Sequence, residues 1–334
     1  MTLDIKFIDD TKSDLWNQVI ASSSHATIFH TWKWLKIVGK YTNTTFYPIV
    51  VYNGTNIAAI YPVFIQRKGF FNLAFSPPSH AYLLYLGPVI AEYENKKQDK
   101  KISTFTEIQH EVDKYLFQTL KCKYARIRLS PTLFDSRPLR WCGYTIDPLY
   151  TYRINLRDGK EKVWDQFDRK LRVSINRAMK EGIVVQQGSG DDLLLIEREL
   201  ARRQREQGTK SPDHSSYLAE IYENFKDNMK IFLAYHQEKM AGSLVALRFK
   251  DVLQLWIGTP KSDLKGISPN DLVQWEAIQW ACDNGLNWFE NMDGGDNPRL
   301  TTYKSKYNPE PFIWFSATKY SSVFYQIGER LLKL

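Results

Sequence analysis

The chain has 334 residues, 43% hydrophobic and 25% charged, which suits two domains with ordinary cores. Three cysteines without paired spacing (Cys122, Cys142, Cys282) and six scattered histidines argue against a disulfide framework and a zinc site. The net charge of +8 favours polyanionic partners such as tRNA, nucleotide-linked substrates, phosphopantetheine carriers or anionic lipid, without choosing among them.

The opening MTLDIKFIDDTKSDLW lacks the apolar core of a signal peptide. No apolar run reaches the roughly 20 residues that span a bilayer, so a cytoplasmic location is expected. A strand is predicted near Ile5–Ile8, a helix after Ser13, and a Trp-rich helix over Trp32–Val38 ending at Gly39. Phe46–Tyr52 and Ile57–Ile65 alternate as strands around Asn53-Gly54, a strong hairpin signal. Strands Phe70–Ser76 and Leu83–Ile90 flank a Pro77-Pro78 loop; a charged linker (Glu92–Lys101), a helix (Ile102–Leu120) and a strand (Tyr124–Leu129) follow.

Tyr150–Asn155 reads as a strand entering the second half, where Lys160–Glu181 reads as one basic helix stopped by Gly182. Val184–Gln186 is a short strand, and helices follow at Asp191–Glu206, stopped by Gly208, and at Ser216–Phe225. Three antiparallel strands come next: Lys230–Tyr235, Met240–Phe249 and Val252–Thr259. Ser268-Pro269-Asn270-Asp271 is a helix start, with a Ser cap, Pro at the first position and an acid three residues after the cap. That helix runs to Asn284 and stops at Gly285. Strand Leu286–Glu290, a tight loop Asp293–Asp296 and a short helix Pro298–Lys306 follow; strand Phe312–Ala317 and an amphipathic helix Ser322–Leu332 close the chain.

Tyr52–Ala59 and Tyr235–Gly242 align without a gap at the same place in a strand–turn–strand unit, and helices precede both. Such an echo points to a duplicated architectural unit rather than to two unrelated hairpins.

The second half carries an ordered series. It runs from the basic helix Lys170–Gly182 through Met240-Ala-Gly-Ser-Leu244, Ser268–Ala281, Asn284–Glu290 and Asp293-Gly-Gly to Leu300-Thr-Thr-Tyr-Lys-Ser-Lys-Tyr307. This series resembles the FemAB-like acyltransferases, a tandem branch of the GNAT superfamily, from about Lys160 to Phe315. In the first half the resemblance rests on Trp32, Trp34 and the Pro77-Pro78…Leu86-Gly87-Pro88 loop. It implies an α/β fold of two GNAT-like units, each a mixed, mostly antiparallel sheet flanked by helices, with a splayed pair of central strands. The units are expected at residues 1–155 and 156–318, with a C-terminal helix over 319–334 packing back on the first. Members transfer an aminoacyl group from tRNA in cell-wall bridge synthesis, or an acyl group from a thioester donor. The resemblance therefore implies acyl-CoA, an acyl carrier protein or aminoacyl-tRNA as donor and an amine as acceptor. It implies no tightly bound cofactor, metal or DNA partner.

Acyl transfer to an amine needs a neutral amine, a held carbonyl and charge stabilisation for the tetrahedral oxyanion. The Tyr303-Lys304 pair resembles the aromatic-Lys pair of the aminoacyl-transferring members, which makes Lys304 the candidate oxyanion partner. Asp293, between a strand and two glycines, is the candidate to orient or deprotonate the amine, with Glu290 as competing carboxylate; an Asx turn is its plain structural reading. Arg172 and Arg177 lie on basic columns opposite the Leu171–Ile175–Ala178 stripe, where phosphates can bind, although a charge run is often only a solvated face. Tyr303, Lys306, Tyr307 and Trp256 are candidate substrate contacts, while Trp275, Trp280, Trp32 and Trp34 read as core. The donor loop of acetyl-CoA enzymes is matched here by Lys261–Pro269, which offers a single glycine, Gly266, with Lys261 and Lys265 as compensating charges. Pro269 removes an amide and Asp271 occupies the positive helix end, which favours aminoacyl-tRNA or carrier-bound donors. The competing reading is a non-catalytic module binding RNA or an anionic glycan, motivated by the net charge and the Arg-rich helices.

Overall fold

The computed structural model describes residues 3–206, 208, 213–258, 262, 264–292 and 298–322. The chain divides into two compact units, Met1–Leu149 with Ile313–Leu334, and Tyr150–Phe312. The first contains strands β1 (Leu3–Phe7), β2 (Thr45–Asn53), β3 (Asn56–Lys68), β4 (Phe71–Ser76), β5 (Val89–Ile90) and β6 (Cys122–Arg128). Strand β7 (Thr145–Asn155) leads into the second, which holds β8 (Val184–Gln187), β9 (Met229–His236), β10 (Lys239–Phe249), β11 (Val252–Gly258) and β12 (Trp288–Asn291). Strand β13 (Glu310–Tyr320) follows. Helices α1 (Ser13–Ser22), α2 (Trp32–Tyr41), α3 (Gln98–Asp113) and α4 (Arg137–Trp141) belong to the first unit. Helices α5 (Lys160–Gln166), α6 (Arg169–Lys180), α7 (Gly190–Glu206), α8 (Ser215–Phe225), α9 (Pro269–Asp283) and α10 (Pro298–Ser305) belong to the second.

The two sheets correspond strand for strand. In the first unit the order is β1-β2-β3-β4-β6-β13, with β4·β6 parallel and the other pairs antiparallel. In the second it is β8-β9-β10-β11-β12-β7, with β11·β12 parallel and the others antiparallel. The closing strand differs in origin: β13 completes the first sheet and β7 the second. The repeated octet shares even an irregularity. Val51 pairs Ala59 and Tyr52 pairs Ile57, so Ala58 is an extra residue. Ala234 pairs Gly242 and Tyr235 pairs Met240, so Ala241 is extra in the same place. Two unrelated hairpins have no reason to carry the same bulge at the same alanine.

Several local expectations give way to packing. Helix α2 passes Gly39 and ends at Tyr41; a Cβ on Gly39 would lie 3.3 Å from Phe46 Cβ, so this glycine permits close approach to β2 instead of stopping the helix. The strand expected over Leu83–Ile90 shrinks to β5, because Leu86 forms an isolated parallel bridge to Leu129. The single helix expected over Lys160–Glu181 breaks at Phe167-Asp168. Phe167 turns into the core against Trp164, Trp275 and Tyr307, and Asp168 caps α6 by accepting from the Lys170 amide. Helix α4 and the first half of β7 went unpredicted. Ser268 stands at the α9 N-cap, but its side chain makes no capping bond. Lys319 and Tyr320, assigned to the closing helix, end β13. Thr259, the Asp293–Asp296 loop and residues 323–334 lie outside the described residues.

Each unit has its own apolar core. In the first, Asp113 at the end of α3 organises a polar network inside that core. Its Oδ1 accepts from the Tyr144 hydroxyl at 2.7 Å and from Gln109 Nε2 at 2.8 Å, and Gln109 accepts from the Tyr61 hydroxyl at 2.9 Å. Lys319 of β13 donates to Asp113 Oδ2 at 2.6 Å and to the Cys142 carbonyl at 2.7 Å. Buried His30 is fixed in one tautomer: its Nδ1 accepts from the Thr27 amide at 3.0 Å, so Nε2 carries the proton and donates to the Leu86 carbonyl at 3.0 Å.

Two predictions follow from these groups. Asp113→Ala leaves Lys319 facing a vacated partner and should cost about 3–5 kcal/mol, read as a lower urea midpoint at unchanged slope. Burial pushes the His30 pKa down to about 3, so the folded ring stays neutral where the unfolded one takes a proton near pH 6.5. Stability should therefore fall as pH drops below that value, by about 1.4 kcal/mol per pH unit from this group. His30→Gln should be less stable at neutral pH yet show a flatter acid slope in pH-dependent denaturation.

Candidate functional site

The second unit opens where its parallel pair comes apart. Strands β11 and β12 pair over Val252–Gln254 against Trp288–Glu290 and no further, although β11 continues to Gly258 and β12 to Asn291. Beyond Gln254 and Glu290 the backbone amides and carbonyls of neighbouring strands no longer satisfy one another across this gap. A crevice at the carboxyl ends of parallel strands is where backbone and side-chain dipoles can meet a ligand.

Lys304 stands at this strand end. It is 5% exposed, and its ammonium donates to the carbonyls of Met292 and, at 3.4 Å, Asn291. Helix α10 delivers it there as the one buried residue of that short segment. Burial of a cation is costly unless hydrogen bonds replace its hydration, and here strand-end carbonyls serve. The Asn291 side chain is fully buried, and neither its Nδ2 nor its Oδ1 has a partner among the described residues. A buried amide with unused donor and acceptor capacity is rare in a folded protein.

Glu290, also fully buried, is engaged. Arg153 of β7 donates to its Oε2 from Nη2 at 2.9 Å and from Nε at 3.1 Å, and the Thr151 hydroxyl lies 3.5 Å from Oε1. The Arg153 guanidinium also sits 4.3 Å from the Phe312 ring centroid. Glu290 thus anchors β12 to β7.

A second polar cluster lies under the N-terminus of α9. Asp271, 3% exposed, accepts from the Ser174 hydroxyl of α6 at 2.7 Å. The Tyr303 and Tyr307 hydroxyls lie 3.3 Å apart beside it. Burial pushes both phenols well above their ordinary range, helped for Tyr303 by the charge of Asp271 and for Tyr307 by Tyr303 and then Asp271. They act as neutral donors across the whole physiological range. Lys306 places its ammonium 5.7 Å from the Tyr303 ring centroid. Tyr307 is 1% exposed and Trp256 of β11 9%, so both belong to the core side of the site.

Arg177 and Gly266 come together. A Cβ built on Gly266 would lie 3.3 Å from Arg177 Nη2, and its φ of +74° is a left-handed backbone that suits glycine. The guanidinium therefore covers the loop leading into α9. Lys265 is exposed beside it, whereas Arg172 turns toward Asp165 at 3.8 Å. Asp293 and Lys261 lie outside the described residues. Among the described residues no cluster of His, Cys, Asp or Glu could hold a metal ion, and no helix is long and apolar enough to cross a membrane. Sequence reasoning missed Asn291, Arg153 and Ser174. Asn291 sits beside Asp-Gly-Gly, where asparagine reads as turn chemistry, and only its strand pairing reveals a buried side chain.

Residues 166–305 match the family described as Acetyltransferase (GNAT) domain, and this stretch contains α6 through Lys304. No curated protein matches the chain in sequence. Among solved structures, FemX superposes with a TM-score of 0.68 at 11% identity, covering 93% of this chain and 96% of that one. A tandem GNAT protein from the clavulanic acid biosynthesis pathway gives 0.59 at 11% identity, covering 96% and 99%. The L-PGS of Bacillus licheniformis gives 0.53 at 15% identity, covering 93% and 92%. At these identities the likeness is one of fold, and it extends over both units. A GNAT acetyltransferase domain is thus matched over residues 166–305, and the fold of the chain is like that of FemX and of a tandem GNAT protein.

Proposed function

We propose that the second unit moves an acyl or aminoacyl group from a thioester or tRNA donor to an amine acceptor, at the opening between β11 and β12. The observation that supports this reading is the buried Lys304 ammonium on the Asn291 carbonyl, with the Asn291 side-chain amide unpartnered among the described residues. Attack by the neutral amine forms the N–C bond and moves the carbonyl π pair onto oxygen. Collapse of that intermediate expels a thiolate, or the ribose hydroxyl of tRNA, which takes up the proton the amine gives away. Lys304 neutralises the oxyanion, and low local polarity strengthens its field there. The Asn291 amide hydrogen-bonds the same carbonyl or the incoming amine. Asp293 takes or orients the amine proton.

Donor phosphates lie along Arg177, Lys265, Lys261 and the Gly266 turn, with Arg172 at the margin. Here side-chain cations replace the amides that Pro269 and Asp271 withhold. Tyr303 and Lys306 line the acceptor side, and Trp256 and Tyr307 shape it from the core. The acceptor amine belongs to a cell-wall peptide precursor or to an amino sugar of a surface polysaccharide, and the reaction takes place in the cytoplasm.

Lys304→Met should lower kcat by about 10²–10³-fold while donor binding, followed by thermal shift, stays unchanged; full turnover in this variant sinks the mechanism. Native mass spectrometry against acyl-CoAs and aminoacyl-tRNA should show one donor class retained by the wild type and weakened in Arg177→Ala. Equal retention by both proteins removes the phosphate role assigned to Arg177.

A further inference from the structure

We propose that one end of the first unit's sheet docks on an anionic lipid bilayer, with the tip of the β3–β4 hairpin entering the interface. The inference concerns a different unit from the acyl-transfer reading and does not depend on it. Strand β2 begins at Thr45 opposite Ile65, so the last three residues of β3, Gln66 to Lys68, run on beyond it. Lys68 pairs Phe71, which leaves Gly69-Phe70 as a two-residue turn at the apex. Gly69 has a φ of +58° with nothing near its missing Cβ, so the turn stands clear of the rest of the unit.

Phe70 is 95% exposed and Phe71 43%. Single exposed apolar residues are ordinary, but two adjacent phenylalanines at a projecting apex, with Arg67 and Lys68 beside them, are not. The register places two more turns at this end, the one before Thr45 and the one before Cys122, which pairs Asn72. Across segments 40–46, 66–72 and 117–123 there are five cations, Lys40, Arg67, Lys68, Lys121 and Lys123, and no carboxylate. On the flanking β1 side, Asp10 accepts from Trp32 and Lys36, and Asp9 accepts from Thr11.

An aromatic ring inserted at headgroup depth under a ring of cations is the chemistry of an anionic interface. The apolar surface leaves water, and each nearby cation gains from the negative surface potential.

The test is co-sedimentation of the full chain with vesicles of phosphatidylcholine and phosphatidylglycerol in equal parts, against phosphatidylcholine alone. Binding to the anionic vesicles is expected, weakening as salt is raised. Phe70→Ser should reduce it about tenfold and Arg67→Gln with Lys68→Gln by a similar factor, while Phe70→Trp should keep it. Phe70 is so exposed that these variants should fold normally, checked by unchanged thermal melting. Absence of binding, binding indifferent to lipid charge, or full binding by Phe70→Ser each overturns the proposal, as does light scattering that shows Phe70-dependent self-association in its place.

Discussion

Hydrogen bonding between β11 and β12 stops after Glu290, and the surroundings of Lys304 depend on that interruption. A parallel ladder satisfies every backbone group along its length. Where it ends, carbonyls and side chains at the strand termini become available. Met292 and Asn291 turn theirs to Lys304. The burial of a lysine, the Asn291 amide left without a partner among the described residues, and the guanidinium clamp on Glu290 are three responses to one gap. Arg153 matters because β12 is only four residues long. An ion pair to β7 holds in place a strand with little ladder of its own.

The first unit repeats the strand order but not the gap. There β4 remains paired with β6 up to its last residue, Ser76. Beyond it, the Leu86 amide donates to the Arg128 carbonyl at 2.8 Å and Leu86 bridges to Leu129. Gly87 lets the backbone lie so close that a Cβ would meet Arg128 O at 3.3 Å. In the first unit the strands are thus zipped by their own loop, and His30 reinforces the closure through the Leu86 carbonyl, whereas among the described residues of the second unit the pair stays open.

Much of this was legible in the sequence. The octet repeat located both hairpins, and the Leu171–Ile175–Ala178 stripe of α6 is buried as its periodicity requires. Lys304 was chosen by resemblance, and its burial adds a physical reason. What periodicity could not supply was the outcome of long-range packing. Nothing local says that Phe167 leaves a helix to join Trp275 and Tyr307, or that Asn291 ends a strand inside the core. Asp271, read as a charge at a helix end, proves to be the centre of a buried group drawn from α6, α9 and α10. Its partner Ser174 lies 97 residues away in the sequence, and only the folded unit brings the two together.

The origin of β13 has a consequence for the chain as it is made. Residues 122–128 of β6 are synthesised early, yet the strand that covers their free edge, and the lysine that meets Asp113, come from residues 310–320. On the ribosome the first unit thus waits, with an unpaired edge exposed, until nearly two hundred more residues have been added. A nascent chain stalled within the second unit would present that edge to its neighbours, so the speed of translation and the attention of chaperones bear on the first unit more than on the second.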